Sequence, residues 1–170
     1  MKAARTRAAR RCHLSSRSSS SPNLALAPLA VAAEGVPRPL PGPDGVRARV
    51  LVIDDEEANL EIFRRMFRRE FDCHLASSAR GALALLEGGG FDCAFIDYRM
   101  PTMDGLQLAG VMAERWPTVV RMIVTGNAEV RELREALEGG LVAVLLGKPW
   151  TREQILDGYR RVVPPPSRPL

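Results

Sequence analysis

The chain has 170 residues, 46% of them hydrophobic, which is enough for one core and too few for two large ones. Its apolar runs are far shorter than the ~20 residues of a transmembrane helix, so we expect no membrane partner. The net charge of +4 arises at the N-terminus, because residues 1–33 carry six basic and no acidic side chains while the remainder holds 18 basic and 20 acidic ones. The charge is therefore poor evidence for a nucleic-acid partner.

Residues 1–46 are predicted to form a disordered tail rich in Arg, Ser and Pro. The stretches "RSSSSPN" and "GVPRPLPGPDG" have no sustained apolar period. The same tail resembles a transit peptide in composition, and "LALAPLAVAAEG" resembles a weak secretory core. We favour a disordered tail or an over-extended start site over these targeting interpretations, and we expect residues 164–170 to form a flexible C-terminal tail.

From residue 47 the sequence alternates between strand-like and helix-like segments. "ARVLVID" (48–54) is a β-branched run ending in acids, and "EANLEIFRRMFRRE" (57–70) places Leu60, Ile62, Phe63, Met66 and Phe67 on a wide helical stripe. Ser78 is the predicted cap of the second helix. The later segments are strands at 73–77, 93–97, 119–126 and 141–147, and helices at 78–90, 103–116, 128–140 and 151–163.

These segments predict an α/β fold in residues 47–163 with five strands and five helices. Near-continuous apolar strands indicate a parallel sheet whose two faces are covered by helices, because right-handed crossovers place helices on each side. In such sheets the reactive crevice lies outside the carboxyl ends of the strands. The residues to inspect are therefore those that follow each strand.

Five polar side chains stand at these strand ends. They are Asp54, Asp55, Asp97, Thr125 and Lys148. Three neighbouring carboxylates repel one another unless a cation lies among them, and hard oxygen ligands suit Mg²⁺. Taken singly, Asp54 and Asp55 are also typical of a helix start, Thr125 of a strand end and Lys148 of a solvated loop. Together they predict a site that stabilises a phosphoryl group on a carboxylate.

The motifs "VIDDEE", "FIDYRMPTMDG", "VTG" and "GKPW", in this order and spacing, resemble the receiver domain of two-component response regulators. The resemblance covers about residues 48–163. It implies a flavodoxin-like, doubly wound five-stranded parallel sheet of order 2-1-3-4-5. "VTGNAEV" and "GKPW" are similar to receivers found beside HD-GYP phosphodiesterase or hybrid-kinase modules.

The resemblance implies a role for each residue of the site. Asp97 is the expected phospho-acceptor. Mg²⁺, the expected cofactor, would be bound by Asp55, Asp97 and the backbone carbonyl of Arg99, with Asp54 holding a metal-bound water. Lys148 would pair with Asp97 and then with the phosphoryl group, and Thr125 would move to hydrogen-bond that group.

Further positions are implied to shape the site or to report its state. Lys148-Pro149 resembles the cis peptide of the family, and Gly105 is expected to be structural. The side chains of Arg99 and Asn127 are implied to influence the dephosphorylation rate. At Leu145 many receivers carry a Tyr or Phe that reports phosphorylation to the surface, so the usual aromatic switch is not expected here.

We therefore expect a stand-alone, non-enzymatic receiver that signals through phosphorylation-dependent protein contacts. Its expected partners are a sensor histidine kinase or histidine phosphotransfer protein and a downstream protein, and its expected location is the cytoplasm, as a monomer or weak dimer. A phosphorelay intermediate is the nearest alternative. A Mg²⁺-dependent aspartyl-phosphate phosphohydrolase is disfavoured because such enzymes typically carry a second acid two residues after the nucleophile, where this chain has Arg99. A receiver-like scaffold that never takes phosphate is disfavoured because all the expected site residues are present. A transcription factor is disfavoured because no helix-turn-helix follows residue 163.

Overall fold

The computed structural model describes residues 47–163, and the interpretations of residues 1–46, of Cys12 and of residues 164–170 fall outside this range. The described segment alternates five strands with five helices, and the bounds agree with the sequence prediction to within three residues. The elements are β1 (Ala48–Ile53), α1 (Glu57–Phe67), β2 (Phe71–Ala76), α2 (Ala79–Glu87), β3 (Cys93–Asp97), α3 (Gly105–Arg115), β4 (Val120–Thr125), α4 (Arg131–Glu138), β5 (Val144–Gly147) and α5 (Arg152–Val162).

The five strands form one parallel sheet of order β2-β1-β3-β4-β5, which confirms the predicted flavodoxin-like fold. The chain order reverses at β1, so β1 and β3 are neighbours at the centre of the sheet. In open sheets of this type the crevice beside such a reversal is where ligands bind. The carboxyl ends of β1 and β3 therefore frame the functional edge.

The core consists of two layers of apolar side chains, one on each face of the sheet. Along β1, Leu51 and Ile53 enter the cluster beneath α2, α3 and α4. The alternate residues Val50 and Val52 enter the cluster beneath α1 and α5. Because successive side chains of a strand point to opposite faces, a strand buried on both sides is largely apolar. This holds for β1 apart from the partly exposed Arg49, and for β3 apart from its last residue, Asp97.

Helix α1 buries a narrower stripe than the sequence suggested. Leu60, Phe63 and Phe67 are buried at helical spacing, and the Phe63 ring lies 4.5 Å from the Phe67 ring and 4.9 Å from that of Phe95, measured between centroids. Ile62 and Met66, which we expected on the same stripe, are 50% and 37% exposed. The buried stripe faces the sheet and Trp150 in the loop before α5.

Helices α2 and α3 begin at side-chain caps. The Ser78 hydroxyl accepts a hydrogen bond from the backbone N–H of Gly81, as the sequence predicted. Asp104 and Gln107 form a reciprocal capping box at the start of α3. Within residues 47–163, no helix combines the length and the hydropathy required to cross a membrane.

Candidate functional site

Asp54 and Asp55 follow β1, but their side chains have different surroundings. Asp54 is only 6% exposed, and its carboxylate accepts four hydrogen bonds. Oδ1 accepts from the backbone N–H of Glu56 at 2.9 Å and from the Asn59 amide at 3.1 Å. Oδ2 accepts from the same amide at 3.1 Å and from Lys148 Nζ at 2.8 Å. Asp55 is exposed, and its side chain makes no hydrogen bond or ion pair with any residue between 47 and 163.

Asp97 is the last residue of β3 and is 7% exposed. Its Oδ2 accepts a hydrogen bond from the Arg99 backbone N–H at 2.9 Å, and its Oδ1 lies 2.5 Å from Lys148 Nζ. A carboxylate has about four acceptor positions, so roughly two remain open on Asp97 while those of Asp54 are filled. Asp97 is therefore the buried carboxylate of the pair that has acceptor capacity left for a ligand.

Lys148 follows β5 and bridges the two buried carboxylates. Burial lowers the pKa of its ammonium, but the hydrogen bonds and charges of Asp54 and Asp97 outweigh burial and raise that pKa overall. Burial raises the pKa of Asp97, and the negative charge of Asp54 acts in the same direction. Lys148 opposes this shift in Asp97 without cancelling it. Lys148 thus pairs with Asp54 and Asp97 at once, and its single positive charge does not balance their two negative charges.

The backbone around the pair is fixed by close contacts. The peptide between Lys148 and Pro149 is cis, as the resemblance implied. A Cβ on Gly105 would come within 2.5 Å of the Asp97 carbonyl oxygen and 3.0 Å of Tyr98 Cα, so only glycine fits there without a backbone shift. This explains the structural role expected of Gly105, which lets the start of α3 approach the end of β3.

Thr125 and Asn127 form a turn after β4, and their side chains make no hydrogen bond with Asp97. Thr125 is 2% exposed, and its hydroxyl donates to the carbonyl of Asn127 and accepts from the N–H of Asn127, both at 3.1 Å. The backbone carbonyl of Thr125 accepts from the N–H of Lys148 at 2.7 Å. The structure thus brings Thr125 beside Lys148 through the backbone, with its hydroxyl held in the turn.

The remaining residues of interest lie at the edge of the site or away from it. Asp55 and Arg99 line an open groove together with Tyr98, Met100, Pro101 and Asp104. The Arg99 and Asn127 side chains are exposed. Leu145 lies in β5 opposite Ile123 and is partly buried against the cluster beneath α2, α3 and α4. An aliphatic side chain at this position has no polar end to exchange between water and the interior.

The oxygen donors of the site fit Mg²⁺. In the described part of the chain, no three His, Cys, Asp or Glu side chains are already assembled around a point where a metal could lie. Mg²⁺ does not need such a cage, because it keeps several waters and is usually bound through one or two carboxylates. The carboxylates of Asp97, with open acceptor positions, and of Asp55, unpaired and exposed, are oxygen groups of the kind that Mg²⁺ takes as ligands.

Two residues at the site were not singled out by the sequence. Asn59 contacts both oxygens of Asp54, and Trp150 packs on Phe63 and Phe67 of α1 at 5.7 and 6.1 Å between ring centroids. Asn59 stands four residues before buried Phe63, so a polar residue on the inward side of α1 was the available signal. Both residues line a small pocket shared with Asp54 and Asp97.

Comparison with known proteins gives a consistent family. The model of the response regulator receiver domain matches residues 50–160. The hydrogenase transcriptional regulatory protein HoxA of Cupriavidus necator is 33% identical over 118 residues, which are 69% of this chain and 24% of that protein. The alginate biosynthesis transcriptional regulatory protein AlgB of Pseudomonas aeruginosa is 34% identical over 110 residues, 64% of this chain and 24% of its own length. This chain thus spans about a quarter of these curated relatives.

Solved structures agree with this result. The signal receiver domain of an HD domain-containing protein from Pseudomonas fluorescens Pf-5 has a TM-score of 0.63 and 26% identity, covering 68% of this chain and 93% of that one. Its origin agrees with the subgroup that the motifs resembled. The response regulator TrrA of Thermotoga maritima, solved in complex with Mg²⁺-BeF, shares the fold at 20% identity, with a TM-score of 0.60 over 68% of this chain and 99% of its own. The chain belongs to the response regulator receiver domain family, the modules of two-component phosphorelay signalling.

Proposed function

We propose that Asp97 accepts a phosphoryl group from a sensor histidine kinase or histidine phosphotransfer protein, in the presence of Mg²⁺. The supporting observation is the asymmetry between the two buried carboxylates. Asp54 has its acceptor positions filled, while Asp97 has open positions and only half of a shared cation. A nucleophilic oxygen needs a free lone pair, and Asp97 has one.

In the transfer, a carboxylate oxygen of Asp97 attacks the phosphorus of the phosphohistidine. A P–O bond forms as the P–N bond breaks, and the electron pair of that bond leaves on the imidazole. Such transfers proceed through loose transition states, so the protein contributes mainly positioning and neutralisation of charge. The strand end of β3 and the backbone N–H of Arg99 position Asp97, since the latter holds Oδ2 at 2.9 Å.

Lys148 supplies the charge neutralisation that this chain provides itself. Its ammonium lies within hydrogen-bonding distance of Asp97 before the reaction. We propose that it stays with the phosphorylated side chain and pairs with a phosphoryl oxygen. Mg²⁺, when bound, would neutralise charge on the oxygens of the transferred group, and Asp55, Asp97 and the carbonyl of Arg99 would hold it directly. Asp54 would hold it through a water that takes over the acceptor position now used by Lys148.

Thr125 is proposed to respond to the phosphoryl group. Its hydroxyl is now used within the turn with Asn127, so binding a phosphoryl oxygen would require breaking two 3.1 Å hydrogen bonds. The turn leads directly into α4, and its rearrangement would alter the adjacent surface. The exposed side chains of Arg99 and Asn127 stand where they could influence the attack of water on the phosphorylated site.

The proposed output is a change in protein contacts. Receiver domains interact with histidine kinases and downstream targets, and one structural neighbour is a CheX-CheY complex from Borrelia burgdorferi. Because Leu145 lacks a polar end, we propose that the signal leaves through the turn after β4 and through the loop after β5.

Mass spectrometry of the intact protein tests phosphoryl acceptance. Incubation with acetyl phosphate and Mg²⁺ should add one phosphoryl group to the native chain, about 80 Da, because Asp97 is the nucleophile that the site supports. Asp97→Asn should add none. Asp157→Asn, which changes an exposed carboxylate on α5 paired with Arg160, should be modified like the native chain. The proposal fails if the native chain stays unmodified with acetyl phosphate and with a matched kinase, or if Asp97→Asn is modified as well.

A further inference from the structure

We propose that Asn59 is a positioning residue whose amide clamps Asp54, so that Lys148 is free to be divided between Asp54 and Asp97. The inference deepens the proposed function and rests on it for its biological meaning. Its geometric basis is independent, because the Asn59 side-chain nitrogen lies 3.1 Å from each oxygen of the Asp54 carboxylate.

The orientation of the amide follows from the charge of its partner. An ionised carboxylate can only accept hydrogen bonds, so the NH₂ end of Asn59 must face it. One nitrogen that reaches both oxygens fixes the rotation of the carboxylate plane as well as its position. Asp54 is thereby held more firmly than by single contacts at one oxygen.

The pocket around this contact explains why a clamp is needed. Besides Asp54, Asp97 and Asn59, its lining is apolar and consists of Val52, Ile53, Phe63, Phe95, Val124 and Trp150. A charged carboxylate in such surroundings is costly unless each oxygen finds donors. Two of the four hydrogen bonds to Asp54 come from Asn59, which therefore supplies half of the protein hydrogen bonds that replace those to water.

The clamp has a consequence for Lys148. Its ammonium lies 2.8 Å from Asp54 and 2.5 Å from Asp97, so the two carboxylates compete for one cation. Because neutral donors already satisfy three of the four acceptor positions of Asp54, Lys148 can follow negative charge on Asp97 without leaving Asp54 unsolvated. Without the amide, Asp54 would depend on Lys148 and hold it back.

A purely structural role for Asn59 is the competing explanation. Asn59 is the third residue of α1, and α1 starts without a side-chain cap from Glu56. The backbone N–H of Glu56 is bound instead by Asp54. The pair Asp54–Asn59 therefore also organises the start of the helix, and a test has to separate loss of this local order from loss of carboxylate positioning.

Mg²⁺ affinity, measured by ¹H–¹⁵N NMR titration of the full chain without any phosphodonor, makes that separation. Asn59→Leu keeps the bulk and removes the donor, and we expect it to raise the Mg²⁺ dissociation constant about 10-fold, the usual size for losing a group that orients a ligand. Ala58→Leu places the same side chain on the neighbouring exposed position and should leave the constant unchanged.

A double-mutant cycle decides the mechanism. If Asn59 acts through Asp54, then Asn59→Leu should change the Mg²⁺ constant less than about 2-fold in an Asp54→Asn background. The proposal is overturned if Asn59→Leu alone stays within 2-fold of the native chain, or if its effect is equally large in both backgrounds. Should Asn59→Leu lose its NMR dispersion, Asn59→Ser replaces it under the same criteria. A native chain that binds Mg²⁺ but takes no phosphoryl group would overturn the proposed function and leave the clamp standing.

Discussion

Two aspartates of the site have nearly the same burial but different hydrogen-bonding surroundings. Asp54 and Asp97 are 6% and 7% exposed, yet one accepts four hydrogen bonds and the other two. The difference arises from the neutral amide of Asn59, because each carboxylate also accepts one backbone N–H and one contact from Lys148. The poorly satisfied charge on Asp97 costs stability in the resting protein, a cost that functional sites commonly carry.

Asp97→Asn should therefore stabilise the protein at neutral pH. Burial raises the pKa of Asp97 above its ordinary value of 3.8, so the folded state holds its proton to higher pH than the unfolded state does. Stability attributable to Asp97 is highest below pH 3.8 and falls as the pH rises through the raised pKa. We expect a gain on the order of 1 kcal/mol at pH 7, shrinking towards pH 3.8, from urea unfolding.

The control for this prediction is Asp157→Asn. Asp157 is exposed and its change should alter the free energy of unfolding by no more than about 0.5 kcal/mol at either pH. A destabilised Asp97→Asn protein at pH 7 would mean that the ion pair with Lys148 outweighs the burial of Asp97.

At the scale of elements, the strands were more predictable than the residues that close the site. Near-continuous apolar runs identified all five strands, and parallel order then placed Asp54, Asp97, Thr125 and Lys148 at one edge. The sequence could not show that β2 starts at Phe71 or that β5 starts only at Val144, because hydrogen-bond pairing with a neighbour defines those ends. The sharing of Lys148 and the reach of Asn59 depend on side-chain geometry across elements far apart in sequence, which no local pattern encodes.

The start of α3 is the element-scale feature most open to test, because glycine is required at one position of that helix and not at another. Gly105→Ala places a Cβ within 2.5 Å of the Asp97 carbonyl oxygen, which is backbone and cannot yield cheaply. We expect a loss of roughly 2–4 kcal/mol in the free energy of unfolding and slower phosphorylation by acetyl phosphate, because β3 and α3 must separate beside Asp97.

Gly110→Ala is the matched control in the same helix. Nothing lies within 4 Å of a Cβ at Gly110, so alanine should stabilise α3 by up to about 1 kcal/mol through helix propensity. Phosphorylation should then proceed at the native rate. If both variants lost the same free energy of unfolding, the requirement for glycine would come from α3 itself and not from its close approach to β3.

At the scale of the whole molecule, the loop after β5 connects the site to the face covered by α1 and α5. Lys148 lies between the two carboxylates, and Trp150, two residues later, packs on Phe63 and Phe67. Pro149 joins them through a cis peptide. Because Trp150 is only two residues from Lys148, a displacement of Lys148 toward a phosphoryl group would also act on Trp150 and on the aromatic rings packed against it. With Leu145 unable to act as an aromatic switch, this loop is the nearer path from the site to a helix surface.

Tryptophan fluorescence measures movement along this path, because the chain has two tryptophans in different surroundings. Trp116 follows α3, and the guanidinium carbon of Arg115 lies 4.4 Å from the centroid of the Trp116 ring. Trp150 instead lines the pocket that contains Asp54 and Asp97. In Trp116→Phe, where Trp150 is the sole emitter, Mg²⁺ with beryllofluoride should change the emission intensity or maximum. In Trp150→Phe the same addition should leave the emission of Trp116 unchanged. An equal response from both variants would mean that the change spreads through the whole core, and a response from Trp116 alone would place the path on the α3 side of the sheet.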